Sequence, residues 1–520
     1  MTQAPSSAPS TDATSAKHRT RITPGVVLAL VLVIAYAALA TLALRFGRPN
    51  ADEGFYALVS SEVMHGKLLY RDIAYTQTPL LPYLQGVVLS IIGFGVFEQR
   101  LLNVLVSTAA LALTLHLWRK RELRTSEWLP LAMLWVFALP LLYFCTIGKT
   151  YAMTQLALVV AAAALVSPGK LLPRLLLLST AGVVAIGCRL PAAPAVLVLW
   201  GAFALEHRRV IPRAILIGLP LALGLLVFAP LLLPAPGNAL FWMWTLHGKV
   251  AIPKTPLAAL AELGVIAPGI ALIALLLLAA VAYRRSHVPI AHLGVFLAGL
   301  AGAVINVVLS GVYAEYAVPF LGLVVLGAGL LVPALGLPRR VVASGSILSM
   351  GAAALGLLQI GDYRSPSDYL ADVEAAATFV AGHTPPQGVL ITPMPEVALA
   401  AGRPVVPRSE MGKFAITGEI LPEQAFARRI IFFGELVFIV QNQFPAAVVL
   451  SANERWNFRR TIPSLNWFTE ADYDGFTQAL ESRYVRSYAN PSFVVYLPRS
   501  PAQPPPKLKD TAPTGSSQNP

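Results

Sequence analysis

Through residues 25–359 of this 520-residue chain, long apolar runs alternate with short polar clusters, a spacing set by lipid thickness rather than by the turns of a soluble core. The runs at 25–44, 100–118, 128–144, 150–166, 171–187, 190–205, 211–233, 256–283, 289–309, 316–335 and 341–359 each read as a membrane-crossing helix. Residues 79–97 are also apolar, but Pro79, Pro82, Gly86, Gly93 and Gly95 interrupt them, so they read as a re-entrant or interfacial helix. Before them, 54–64 has the spacing of a short amphipathic helix, with Phe55, Leu58, Val59 and Val63 grouped toward one side.

Beyond residue 359 the apolar runs shorten and acids such as Asp362, Asp368, Asp372 and Glu374 appear. Helical periodicity at 366–381 and 422–440, alternating with buried-strand patterns at 389–391, 447–450 and 493–496, predicts an α/β domain over 361–498. The flanking segments 1–24 and 499–520 are polar or proline-rich and lack the means to build a core.

Composition agrees: 56% apolar and 12% charged residues, with a mean hydropathy of +0.66, exclude a soluble globular protein. The net charge of +13 lies in clusters between apolar runs, where it reports topology and anionic headgroups rather than nucleic acid. If all these clusters face the cytoplasm, the N-terminus lies inside, and loop 45–99 and domain 361–498 lie outside, as in a multi-pass plasma (inner) membrane protein. Cys145 and Cys188 fall near helix ends where a disulfide is possible, or are buried as small apolar residues. No metal-ligand spacing, P-loop or dinucleotide fingerprint is present, so no cofactor is predicted, and the sequence leaves a divalent-metal requirement open.

Candidate chemistry gathers in the first external loop, where Asp52 and Glu53 stand at the start of the short helix. Helix capping by Asp52 and a favourable first-turn charge from Glu53 would explain the pair without chemistry. The rest of the loop adds Gly66-Lys67-Leu68-Leu69-Tyr70-Arg71-Asp72, then Thr76-Gln77-Thr78-Pro79, and Glu98-Gln99-Arg100-Leu101 leading into the next span.

This ordered set resembles the GT-C glycosyltransferases, in particular the protein O-mannosyltransferase and aminoarabinose transferase superfamily. The resemblance covers about the first 120 residues well. Later, Gly187-Cys188-Arg189-Leu190-Pro191 and Tyr316-Ala317-Val318-Pro319 are short further matches, and Thr76-Gln77-Thr78 departs from the pattern. It implies a GT-C fold of about 11–13 transmembrane helices and an inverting transfer of sugar from a polyprenyl-phosphate carrier to a glycan, lipid or protein acceptor on the external face.

In that scheme Asp52 is the general base, and Glu53 orients the acceptor or tunes Asp52. Lys67, Arg71, Arg100, Lys149, Arg189 and Tyr316 are candidates to meet the carrier phosphate. Trp242, Trp244 and His247, with Lys249 and Lys254 nearby, suit stacking on a sugar or acceptor, though an aromatic interface belt has the same signature. Snorkelling to headgroups is the plainer role for Arg189 and Lys149, and interfacial anchoring for Tyr313 and Tyr316. Two further readings are a secondary transporter and a non-catalytic carrier-binding assembly protein. Against transport, the spans are nearly free of acids and show no repeat.

Overall fold

The computed structural model describes residues 23–247, 255–284, 288–310, 314–417, 422–453, 457–458 and 469–500. Lys249, Lys254, Tyr313 and most of both tails lie outside the described residues. Helix α1 (Pro24–Phe46) is followed by α2 (Glu53–Met64), α3 (Leu80–Ile92) and α4 (Val96–Lys120). Next come α5 (Thr125–Phe137), α6 (Leu139–Phe144), α7 (Tyr151–Val166), α8 (Leu171–Cys188), α9 (Ala193–His207) and α10 (Arg213–Leu232). The remaining long apolar helices are Pro256–Ile266, Pro268–Arg284, Ile290–Ser310, Val318–Ala334 and Arg339–Gly356. Seven helical stretches among the described residues are long and apolar enough to cross a bilayer by themselves, and the chain is a polytopic α-helical membrane protein.

Prolines break two of the expected spans. Ala138 is extended ahead of the Pro140 turn, so the run 128–144 divides into α5 and α6. Ala267, at φ −142° and ψ 63°, precedes Pro268 and divides the run 256–283. Proline removes a donor, so neither Pro140 nor Pro268 can continue the helical bonding, and it pushes the residue before it out of the helical region, as at Ala267. Helix α3 ends at Gly93, whose φ of 111° favours glycine, and its 13 residues reach only about 20 Å, short of the ~30 Å hydrocarbon layer.

The bundle core is chiefly Leu, Val, Ala, Ile and aromatic. Trp118 of α4 is fully buried and donates its indole N–H to the Leu326 carbonyl at 3.1 Å. Helices Ile290–Ser310 and Val318–Ala334 pack closely enough that a Cβ on Gly327 would come within 2.5 Å of the Phe296 Cα, the small-residue contact that membrane helices use in place of a hydrophobic drive.

After the bundle, a four-stranded sheet has the order β1 (Leu390–Ile391), β4 (Ala447–Ser451), β6 (Phe493–Pro498), β5 (Tyr484–Ala489). Strands β1 and β4 are parallel and the other pairs antiparallel, with Val449 opposite Val495. Strand β4 is buried along its length, which explains its unbroken apolar run. A separate parallel pair joins β2 (Ile416–Thr417) to β3 (Ile431–Phe432). The expected helix 422–440 is in fact Pro422–Ala427 and Phe433–Gln441, with β3 between them, because Arg429 turns the chain at φ 60°.

Bundle and α/β domain meet where the end of α1 lies against the chain that enters the domain. Arg48 N–H donates to the Tyr363 carbonyl and Ser365 N–H to the Phe46 carbonyl, both at 2.8 Å, and Arg45 pairs with Asp368. Leu58 of α2 is packed in the core of the α/β domain, whereas Phe55 and Tyr56 pack with Tyr70 and Tyr75. Helix α2 is therefore enclosed on almost every side instead of presenting the single apolar face its sequence predicts.

Candidate active site

Asp52 occupies the position before α2, but its carboxylate makes no capping hydrogen bond. Asn50 does the local work: its Oδ1 accepts the Asp52 N–H at 3.1 Å, and its own N–H donates to Glu53 Oε2 at 3.0 Å. The Asp52 side chain is thereby free to turn toward Lys149, whose Nζ lies 3.0 Å from Asp52 Oδ2. It stays about a quarter exposed, at 26%, so part of the carboxylate faces open space.

Lys149 sits in the turn between α6 and α7 and is buried. It also reaches Glu315 Oε1, at 2.7 Å, from the 3-10 turn Ala314–Ala317. Burial alone would lower the affinity of this ammonium for its proton, but the two carboxylates outweigh burial and hold it well above the ordinary lysine value. Tyr151 donates its phenol O–H to Glu315 Oε1 at 3.3 Å.

Arg189 lies where α8 ends and the 3-10 turn Leu190–Ala192 begins, the break that Pro191 enforces. Its guanidinium stands over two rings, 4.8 Å from the Tyr151 centroid and 4.5 Å from that of Tyr316, and bonds Thr150 Oγ1 at 3.2 Å. Arg189 is 3% exposed and its Nε has no hydrogen-bond partner among the described residues. Tyr56 of α2 lies within electrostatic reach of Asp52, Lys149, Arg189 and Tyr316, and burial followed by the Asp52 charge pushes its phenol pKa up. Four stretches far apart in sequence, around residues 52–56, 149–151, 189 and 315–316, thus meet at one partly open, strongly polar site.

The other half of the acid pair points elsewhere. Glu53 is 1% exposed and forms a two-pronged ion pair with Arg100, Nε to Oε1 and Nη2 to Oε2, each 2.7 Å. Glu53 Oε1 also accepts the Gly148 N–H at 2.9 Å. Arg100 spends its remaining donors on the carbonyls of Leu44, Gly47 and Arg48, leaving no N–H for a phosphate. The pair joins the end of α1, the start of α2, α4 and the turn that carries Lys149, so it is architectural.

Lys67 and Arg71, expected near a phosphate, pair locally instead. Lys67 contacts Glu62 and lies 3.9 Å from Glu410, while exposed Arg71 makes two hydrogen bonds to Asp72. Trp242 is fully buried and donates to the Arg428 carbonyl at 2.9 Å, fastening the two domains, and Trp244 is 68% exposed. His247 Nε2 bonds the Thr76 carbonyl at 2.7 Å, and burial, reinforced by Arg189, lowers its pKa. Both cysteines are free and buried, in two different hydrophobic clusters. No three His, Cys, Asp or Glu side chains among the described residues group as metal ligands.

Tyr56, Thr150 and Tyr151 were not expected at the site. A polar run, Gly148-Lys149-Thr150-Tyr151, opening an otherwise apolar helix was the available signal for two of them. Nothing in the local sequence sets Tyr56 apart within the helix it belongs to.

No family model and no curated protein matches the chain. Its likeness to known proteins is in three dimensions: the crystal structure of ArnT from Cupriavidus metallidurans bound to undecaprenyl phosphate superposes with a TM-score of 0.60 at 15% identity, covering 91% of this chain and 97% of that one. The apo structure of the same protein gives 0.61, again at 15% identity, over 90% of this chain and 97% of that one. The chain has the GT-C fold.

Proposed function

We propose that the protein is a polyprenyl-phosphate-sugar-dependent glycosyltransferase working on the external face of the membrane, with Asp52 as general base. The observation that supports this most is that a partly exposed carboxylate, Asp52, and a buried guanidinium with an unused N–H, Arg189, belong to one cluster around Tyr56. The likeness to ArnT, which has been crystallised with undecaprenyl phosphate, suggests the class of carrier.

In this reading the carrier phosphate meets Arg189 through its unused Nε, and Tyr316 lies under the same guanidinium. Asp52 takes the proton of an acceptor hydroxyl as oxygen attacks the anomeric carbon from the face opposite the phosphate. The bond from that carbon to the phosphate oxygen breaks, the configuration inverts, and polyprenyl phosphate leaves with its electron pair. Arg189 gains contact with that developing charge, which makes its contribution larger in the transition state than in the bound donor. Lys149 is shared between Asp52 and Glu315; it holds Asp52 in place and keeps the two acids from repelling each other.

Reconstitution in liposomes with several polyprenyl-phosphate sugars, following loss of sugar from lipid, tests the reaction. Failure with every sugar and acceptor class, or uptake of a free solute, would overturn it. Arg189→Gln removes a charge-assisted contact worth about 1.5–3 kcal/mol, so kcat/KM for the donor should fall roughly tenfold to a hundredfold. An unchanged donor dependence would remove Arg189 from the phosphate site.

A further inference from the structure

Asp52 stands immediately before helix α2, whose first turn is fixed by groups outside itself. The Arg100 pair meets it on one side. Against Gly54 stands Glu396, from helix Pro395–Ala400 of the α/β domain. A Cβ built on Gly54 would lie 1.9 Å from Glu396 Oε2 and 2.7 Å from the Glu396 amide nitrogen, so only glycine permits this approach. Glu396 is 2% exposed, accepts the Tyr369 phenol on Oε1, and has no partner for Oε2 among the described residues.

We propose that Glu396 is a positioning residue, a clasp by which the α/β domain holds the first turn of α2 through Gly54 and so sets where Asp52 stands. Its catalytic consequence rests on the glycosyl-transfer reading; the clasp itself does not.

The titratable and charged groups facing Glu396 are Glu53 from α2, Arg100 from α4 and Tyr369 from helix Tyr369–His383. Arg100 is already bound to Glu53, so it offers little compensation for a second buried carboxylate. Burial, with the Glu53 charge adding to it, pushes the Glu396 carboxyl from 4.5 up to about 7. Because the folded value is raised, the stability this group contributes is fully present below about 4.5 and is lost as pH rises through about 7. Across the two pH units centred there, the neutral fraction falls about tenfold.

Hydrogen exchange of the full chain in lipid nanodiscs, at about pH 6 and about pH 8 and corrected for intrinsic rates, reads the clasp directly. Protection of peptides covering 50–64 should drop by about the same tenfold in the natural protein. Glu396→Gln should keep equal protection at both values. Tyr369→Phe, which removes a donor favouring the carboxylate, should move the drop to higher pH, and it carries the test if Glu396→Gln does not fold. Gly54→Ala should lose protection at both pH values although alanine is the better helix former. A pH-independent natural protein, or an unaltered response in Glu396→Gln and Tyr369→Phe, overturns the clasp. Exchange as described with no turnover of any polyprenyl-phosphate sugar leaves the clasp standing and removes the glycosyl-transfer reading.

Discussion

Asp52→Asn should lower turnover by about a hundredfold to ten-thousandfold, the usual contribution of a positioned general base and equivalent to roughly 3–5.5 kcal/mol of barrier. The amide is isosteric but cannot take the acceptor proton. Folding should survive, because Asp52 makes no capping bond to α2 and Lys149 retains Glu315 as a partner. Donor binding should also survive, since the contacts of Arg189 do not include Asp52. Sugar release from a labelled donor, measured beside the thermal midpoint, separates these outcomes. Turnover near the natural rate with an intact fold would show that another group takes the proton.

The second large effect concerns stability. Arg100→Leu leaves the Glu53 carboxylate buried beside the Gly148 and Asn50 amides with no cation, and breaking a buried pair from one side typically costs about 3–5 kcal/mol. That is a large share of the roughly 5–15 kcal/mol that holds an ordinary domain together, so a clear fall in the unfolding midpoint is expected. Glu53→Met alone should be similarly harmful, because it strands Arg100. The double variant should recover part of the loss, since neither charge is then left unpaired. Recovery stays incomplete, as the carbonyls of Leu44, Gly47 and Arg48 lose their donors. Two single variants whose costs simply add would show that the pair is not energetically coupled.

These two experiments divide a motif that sequence alone presents as one unit. Asp52 and Glu53 are adjacent, but at the start of a helix consecutive side chains diverge by about 100°. One carboxylate meets Lys149 in a partly open cluster, and its neighbour is sealed against Arg100. Burial also separates the basic candidates: Arg189 and Lys149 converge on the site from helix breaks, whereas Lys67 and Arg71 are occupied by acids in their own loop. Residue type and a membrane-side location could not distinguish these cases, because the deciding quantity is which neighbour each long, flexible side chain finds.

Secondary structure divides along the same line. Strand β4 was legible because it is buried throughout and apolar from Ala447 to Leu450. Strand β5 was not: Val485, Arg486 and Ser487 are exposed and its register shifts between Arg486 and Tyr488, so no period of two survives in its sequence. The expected break in residues 79–97 was readable from Gly93 and Gly95. The divisions at Pro140 and Pro268 follow from the same chemistry, masked by apolar residues on both sides.

What the sequence determined by itself is whatever follows from composition and local backbone chemistry: a lipid-embedded helical bundle, a following α/β domain, and an acid pair in the loop after the first span. Apolar length and proline or glycine placement need no partner to take effect. Only the tertiary structure decided which acid is accessible, which bases join it, and that Glu396 stands against Gly54. Those outcomes depend on desolvation and on contacts between residues as far apart as 52, 149, 189, 315 and 396, and no local pattern along the chain encodes them.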